Sequence, residues 1–226
     1  MKRFLVPFLF LLSLCAFAQG GYEAVYQQTL ILPEEVNQIE DPEMRQTLID
    51  QFAAIKNPYT LSCTGSKSLF KPVNITKAVL GTRSIIYVDS ATGEKVTKED
   101  VMGKAYLMQE TYGPLKWTIL EDTAEIEGYQ CKKAVLGAGG IEAWFTEEVP
   151  IQAGPMGYGS LPGLIVKLEM ENMTFTLSSL KEAAKVSIKA PSGGKKVSRD
   201  ELEEILVEKA NQMPNGSGGR VKVVGL

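Results

Sequence analysis

From Leu164 onward apolar and polar residues alternate: Leu164, Val166, Leu168 and Met170 fall on one side, Lys167 and Glu169 on the other. After Glu171-Asn172 the alternation resumes as Met173, Phe175 and Leu177 against Thr174, Thr176 and Ser178. A period of two sends successive side chains to opposite faces of a strand, so this stretch predicts an antiparallel pair with one dry face and one wet face. Similar runs recur along the chain. Tyr22 to Leu32, Tyr59 to Thr64, Ser68 to Lys71 and Ser84 to Val88 are rich in β-branched and aromatic residues, and each is bounded by Pro, Gly or Asp. Lys104 to Thr111 and Lys116 to Leu120 flank Gly113-Pro114, while Tyr129 to Leu136 and Ile141 to Phe145 flank Gly137-Ala138-Gly139-Gly140; both pairs read as hairpins. Val221 to Val224, after a Gly-rich connector, reads as a last edge strand.

Two segments change period. Asp41-Pro42-Glu43 offers an N-cap, a proline at the first helical position and an acidic first turn. Met44, Leu48, Phe52 and Ile55 then follow at helical spacing until Asn57-Pro58, and this stripe predicts a helix packed on the core. Ser198 and Glu201 form a capping box before Leu202, Ile205, Leu206, Ala210 and Met213, a second stripe ended by Pro214. The expected fold is therefore α+β: one large curved antiparallel sheet packed on two helices. If two short helices leave part of the apolar face bare, a groove remains, lined by Leu168, Met170, Phe175 and Leu177. The alternative is a sheet that rolls up and fills its interior with side chains.

Composition narrows the chemistry. The 226 residues are 44% hydrophobic and 23% charged, with a net charge of −3 and no histidine. Without histidine, Ser/His/Asp and Cys/His nucleophilic catalysis and the commonest zinc and copper ligand are all missing. The weakly acidic charge gives nucleic acid no basic field to meet. Lys2-Arg3, the apolar run Phe4 to Leu14 and Ala16-Phe17-Ala18 have the form of a signal peptide, residues 1–18, which leaves 19–226 as a single exported domain. No later stretch holds the roughly 20 apolar residues needed to span a bilayer. Export makes Cys63 and Cys131 an even pair in a compartment that permits oxidation, so they are either a disulfide or two buried thiols.

No catalytic constellation stands out, and no cofactor or metal is expected. Tyr158 stands where a Gly-x-Ser-x-Gly elbow would need glycine before Ser160. Glu147-Glu148 lacks a second acidic group that the sequence brings near, and reads as a solvated turn.

Residues 115–170 carry a recognisable order. Leu115-Lys116-Trp117 leads to Glu127-Gly128-Tyr129-Gln130-Cys131, then to Ala143-Trp144-Phe145-Thr146-Glu147-Glu148-Val149-Pro150-Ile151, Gly154-Pro155 and Ser160-Leu161-Pro162-Gly163-Leu164-Ile165. This resembles the GLPGLI family, exported Bacteroidetes proteins without an established activity, with Ser160 in place of the first glycine of the name-giving hexapeptide. The motif residues are Trp144, Gly154, Pro155, Leu161, Pro162, Gly163, Leu164 and Ile165. Pro162-Gly163 suits a tight turn in which the glycine takes a positive φ, and Trp144 is expected in the core. The resemblance implies an antiparallel sheet partly wrapped round helices, an open half-barrel similar to the lipoprotein-carrier (LolA-like) folds.

These observations favour a non-enzymatic protein of the periplasm, outer membrane or secreted fraction. It is expected to hold a lipid, an apolar small molecule or a peptide in the groove between sheet and helices. The alternative is a structural protein that pairs with an envelope protein partner through an exposed strand edge. A hydrolase working with carboxylates alone would need two of them converging in one cleft.

Overall fold

A computed structural model describes residues 20–73, 83–137 and 140–211. The signal-peptide segment 1–18 and the expected strand at 221–224 lie outside the described residues. Among the described residues twelve strands form one sheet. In chain order they are β1 (Gly21–Leu30), β2 (Lys56–Thr64), β3 (Lys67–Pro72), β4 (Ile85–Asp89), β5 (Glu94–Val101) and β6 (Lys104–Thr111). There follow β7 (Trp117–Ile126), β8 (Tyr129–Leu136), β9 (Ile141–Thr146), β10 (Leu164–Glu169), β11 (Met173–Ala183) and β12 (Lys195–Lys196). Among the described residues there are also two α-helices, α1 (Pro42–Ala53) and α2 (Arg199–Asn211), and two short 3-10 helices at Glu34–Gln38 and Pro155–Gly157.

The order across the sheet is β12-β6-β5-β4-β3-β2-β1-β11-β10-β9-β8-β7. Two antiparallel meanders, β2 to β6 and β7 to β11, therefore meet at β1, which pairs with both β2 and β11. Only β12 is parallel to its neighbour, β6. The β10–β11 hairpin has the expected register, with Leu168 opposite Phe175, and β8–β9 is also a hairpin. The proposed β6–β7 hairpin does not exist: these strands lie at opposite ends of the paired series. Gly113-Pro114 thus sits in a connection between the two ends of the sheet rather than in a tight turn.

The expectation of an α+β, LolA-like half-barrel packed on two helices is overturned. Asp41 does cap α1 through Glu43 and Met44 N–H groups, at 2.9 and 3.2 Å, but the helix buries no side chain and Met44 is 57% exposed. Leu48, Ile49 and Phe52 are only half-buried, and Arg45 ties the helix to the preceding turn by donating to the Ile39 carbonyl at 3.0 and 2.7 Å. The capping box of α2 forms as expected, Ser198 N–H donating to Glu201 at 2.7 Å and Glu201 N–H to Ser198 Oγ at 3.2 Å. This helix packs Leu202 and Leu206 on Val101 and Met108 of β5 and β6 alone.

The main core lies inside the curved sheet. Tyr59 stacks on Phe70 with ring centroids 4.9 Å apart, and Phe175 meets both rings edge-on. Leu168, Met170, Phe175 and Leu177 are all buried in this cluster. The segment before β10 completes it: Pro155, Met156 and Gly157 are buried, and Gly157 lies against the side chains of Ile86 and Val88. Cys63 and Cys131 belong to the same core as free thiols, so the disulfide expectation is corrected. Their strands, β2 and β8, are separated in the sheet by β1, β11, β10 and β9.

Candidate functional site: a charged cleft beside the motif loop

The loop from Gly154 to Gly163 bridges the β7 end of the sheet to its interior strands β3 and β4. Trp117 of β7 donates its indole N–H to the Gly159 carbonyl at 2.8 Å, and the Leu115 N–H donates to Ser160 Oγ at 3.1 Å. On the other side the loop rests on β3 and β4. Its backbone explains the motif residue by residue. Ser160 has φ +67°, in the left-handed region that favours glycine, so this chain fills a glycine-type position with a side chain that accepts a hydrogen bond in return. Gly163 does not take a positive φ, contrary to expectation. It is needed because a Cβ there would strike the Thr146 carbonyl. Gly154 is similarly confined, since a Cβ would stand 2.7 Å from the Ile165 side chain. Leu161, Leu164 and Ile165 are core residues, whereas Pro162 is exposed.

Trp144 lies on the outer face. It is half-buried, donates to Glu169 at 3.3 Å, and has the Lys133 ammonium 5.8 Å above its ring. Glu147 pairs with Lys132 at 3.0 Å and Glu148 accepts from the Gln130 N–H at 2.9 Å, which ties both carboxylates to the sheet.

The ligand-binding set Leu168, Met170, Phe175 and Leu177 lines neither cleft described among these residues. One charged opening, about 280 Å³, lies where the Tyr112–Leu115 connection, the motif loop, β5, β6 and the start of α2 converge. Lys95, Glu110, Tyr112, Met156, Tyr158 and Arg199 are its principal walls. Arg199, the first residue of α2, donates through Nε and Nη2 to Glu110 Oε1 at 3.0 and 2.6 Å. The other oxygen, Glu110 Oε2, is buried and has no hydrogen-bond partner among the described residues. Directly across the strand pair from Glu110 stands Lys95, whose ammonium makes no hydrogen bond or ion pair among the described residues. Burial lowers the Lys95 pKa, an effect opposed by the Glu110 carboxylate and reinforced by Arg199. Burial also raises the Tyr158 phenol.

Sequence reasoning missed this cleft because it missed β5. Lys95, Thr97 and Glu99 face the same side as Val101, so the inward face of β5 carries polar groups where a dry strand would carry apolar ones. The alternation was present, but its sign was concealed. No group of three or more His, Cys, Asp or Glu residues able to hold a metal occurs among the described residues. No helix among them is long and apolar enough to cross a membrane.

With this geometry in view, the comparisons add a fold and a partial family match. Residues 107–203 match the family model described as N-glycanase peptide, N-terminal domain. That span contains β7 to β11, the motif loop, Glu110 and Arg199. The fold is similar to part of PNGF-II. Solved structures of PNGF-II in the P21 and C2 crystal forms superpose with TM-scores of 0.56 and 0.54 at 14% and 16% sequence identity. Each match covers 84% of this chain and 34% or 33% of the PNGF-II chain, so the present chain spans about a third of the length of the structures it matches. No curated protein sequence matches it.

Proposed function

We propose that this chain is a non-catalytic, exported binding domain that holds a small polar or peptide-like ligand in the cleft between the sheet, the motif loop and α2. The observation that carries the reading is the convergence of Lys95, Tyr112, Tyr158 and Arg199 from separate elements on one opening of about 280 Å³. An apolar ligand is disfavoured by the packing of Leu168, Met170, Phe175 and Leu177 against neighbouring side chains.

In this reading residues 1–18 are removed on export and 19–226 act as one domain in the periplasm, at the outer membrane or in the medium. The GLPGLI-type loop, whose position overlaps the N-glycanase N-terminal-domain match, then serves to close the core and to form one wall of the cleft. Likeness to an N-terminal domain, rather than to a whole enzyme, supports an accessory role. Native mass spectrometry of the protein purified from its own source tests this. A stoichiometric polar or peptide adduct supports the reading, and a lipid adduct or a bare chain overturns it.

A second reading draws on β7, which among the described residues is paired only on its β8 side and leaves Ile119 49% exposed. Such an edge offers backbone groups for strand addition. A stoichiometric protein companion released by Ile119→Asp would favour it over the cleft.

A further inference from the structure

The charged groups that line the cleft are Lys95, Glu110 and Arg199, two cations and one anion. The anion is withdrawn from any ligand. Glu110 Oε1 accepts from Arg199 Nε and Nη2, and Oε2 is buried. The cations are not withdrawn. Lys95 is half-buried, and its ammonium makes no hydrogen bond or ion pair among the described residues. Arg199 turns two of its five N–H groups to Glu110, which leaves three. Its charge is felt across the opening. Burial lowers the Lys95 pKa, Glu110 opposes that and Arg199 adds to it; burial raises the Tyr158 phenol, and Arg199 opposes the rise. A cationic ligand would meet two like charges, and a neutral one would leave the surplus positive charge uncompensated. An oxyanion carries acceptor lone pairs only, the complement of an ammonium and a guanidinium that carry donors only.

We infer that the cleft is a subsite for an oxyanion, the carboxylate or phosphate of a small ligand, held between the Lys95 ammonium and the free N–H groups of Arg199. The inference rests on the binding role proposed above and specifies the charge of the group that the cleft takes. Tyr112, Met156 and Tyr158 supply the apolar surface around it. Such walls exclude water on one side and strengthen the attraction relative to a fully exposed pair. The opening, at about 280 Å³, accommodates a small charged group with a short stem rather than a long apolar chain.

The test uses N-acetylglycine, its uncharged methyl ester and methyl phosphate as probes. Each is titrated at constant ionic strength into the wild-type protein, Lys95→Met and Lys104→Met while backbone NMR shifts of Lys95, Tyr112, Tyr158 and Arg199 are followed. Lys104 is exposed and stands at the end of β6 away from the cleft, so Lys104→Met removes the same charge without altering the opening. N-acetylglycine is expected to bind at least about tenfold more tightly than its ester, because a hydrogen bond to a charged group outweighs a neutral one. Lys95→Met should weaken the anions at least about tenfold and leave the ester unchanged, and Lys104→Met should change neither. Tighter binding of N-acetylglycine than of methyl phosphate assigns a carboxylate ligand, and the reverse assigns a phosphate. Equal binding of N-acetylglycine and its ester, or anion binding that Lys95→Met leaves unchanged, overturns the oxyanion assignment while leaving a ligand site in place. The acid-to-ester comparison needs no variant, so it decides the matter even where Lys95→Met fails to fold. If neither anion shifts any of the four residues the inference falls, and the binding role is then decided by native mass spectrometry of the protein from its own source.

Discussion

Glu99→Gln should flatten a pH dependence of stability that the wild-type protein carries in a predictable window. Glu99 lies on β5 beneath the region packed by α2 and is 1% exposed. Burial pushes its carboxyl from the usual 4.5 up to about 7; a hydrogen bond from Ser84 works in the opposite direction, and Asp100 adds to the rise. The fold thus favours the protonated acid. The stabilisation is fully present below pH 4.5, where the unfolded chain is protonated too. It is lost as pH rises through 7, where the unfolded chain has already released its proton. At about 1.4 kcal/mol per pH unit, this difference corresponds to about 3 kcal/mol, and the near-complete burial of the side chain calls for no solvent discount. Glutamine keeps the shape and stays neutral at every pH. Urea unfolding of both proteins at pH 4.5 and pH 8, followed by tryptophan fluorescence, isolates the effect as a difference of differences, because all other titrating groups are shared. The stability of Glu99→Gln relative to wild type should rise by about 3 kcal/mol between the two pH values. A relative stability constant within about 0.5 kcal/mol would refute the argument that the β5 inward face is dry enough to hold a carboxylic acid.

The remaining predictions concern the core and the loop. Cys63 and Cys131, raised by burial to about 12 and about 11, should resist thiol reagents in the folded protein; intact mass measured with and without reductant should not change, and a gain of two hydrogens on reduction would contradict the free-thiol state. Gly163→Ala should destabilise by about 3 kcal/mol or more, because its Cβ meets the Thr146 backbone rather than a movable side chain. Gly128→Ala, with φ +82° and nothing within 4 Å of the new Cβ, should cost only about 1 kcal/mol; equal losses in thermal unfolding would remove the steric account of the motif glycine. Phe175→Ala should cost about 3–5 kcal/mol, since it opens a hole beside the stacked Tyr59 and Phe70 rings. A loss below about 1 kcal/mol would place Phe175 at a free surface.

What the sequence revealed and what it concealed follow the same physical line. The β10–β11 hairpin was readable because Leu168 and Phe175 share a face that is dry throughout. The two helix caps were readable because capping is local and Asp41, Ser198 and Glu201 act within one turn. By contrast, α1 was misassigned to the core because periodicity specifies a face but not what that face meets. Lys95, Thr97 and Glu99 hid β5 by placing polar groups inward. Gly113-Pro114 suggested a hairpin because a turn dipeptide carries no information about which strands pair beyond it. Gly163 was assigned the wrong reason: a glycine required by a neighbouring carbonyl looks, in sequence, like one required by φ. The cleft itself depends on contacts between residues about a hundred positions apart, Lys95 and Arg199 among them, and no local pattern encodes that meeting.

A crystal structure of the protein purified from its own source tests the central claim most directly. The account predicts ligand density in the cleft bounded by Lys95, Tyr112, Tyr158 and Arg199, with the Arg199–Glu110 pair undisturbed. Ligand density among Leu168, Met170, Phe175 and Leu177, with those side chains displaced to admit it, would contradict it.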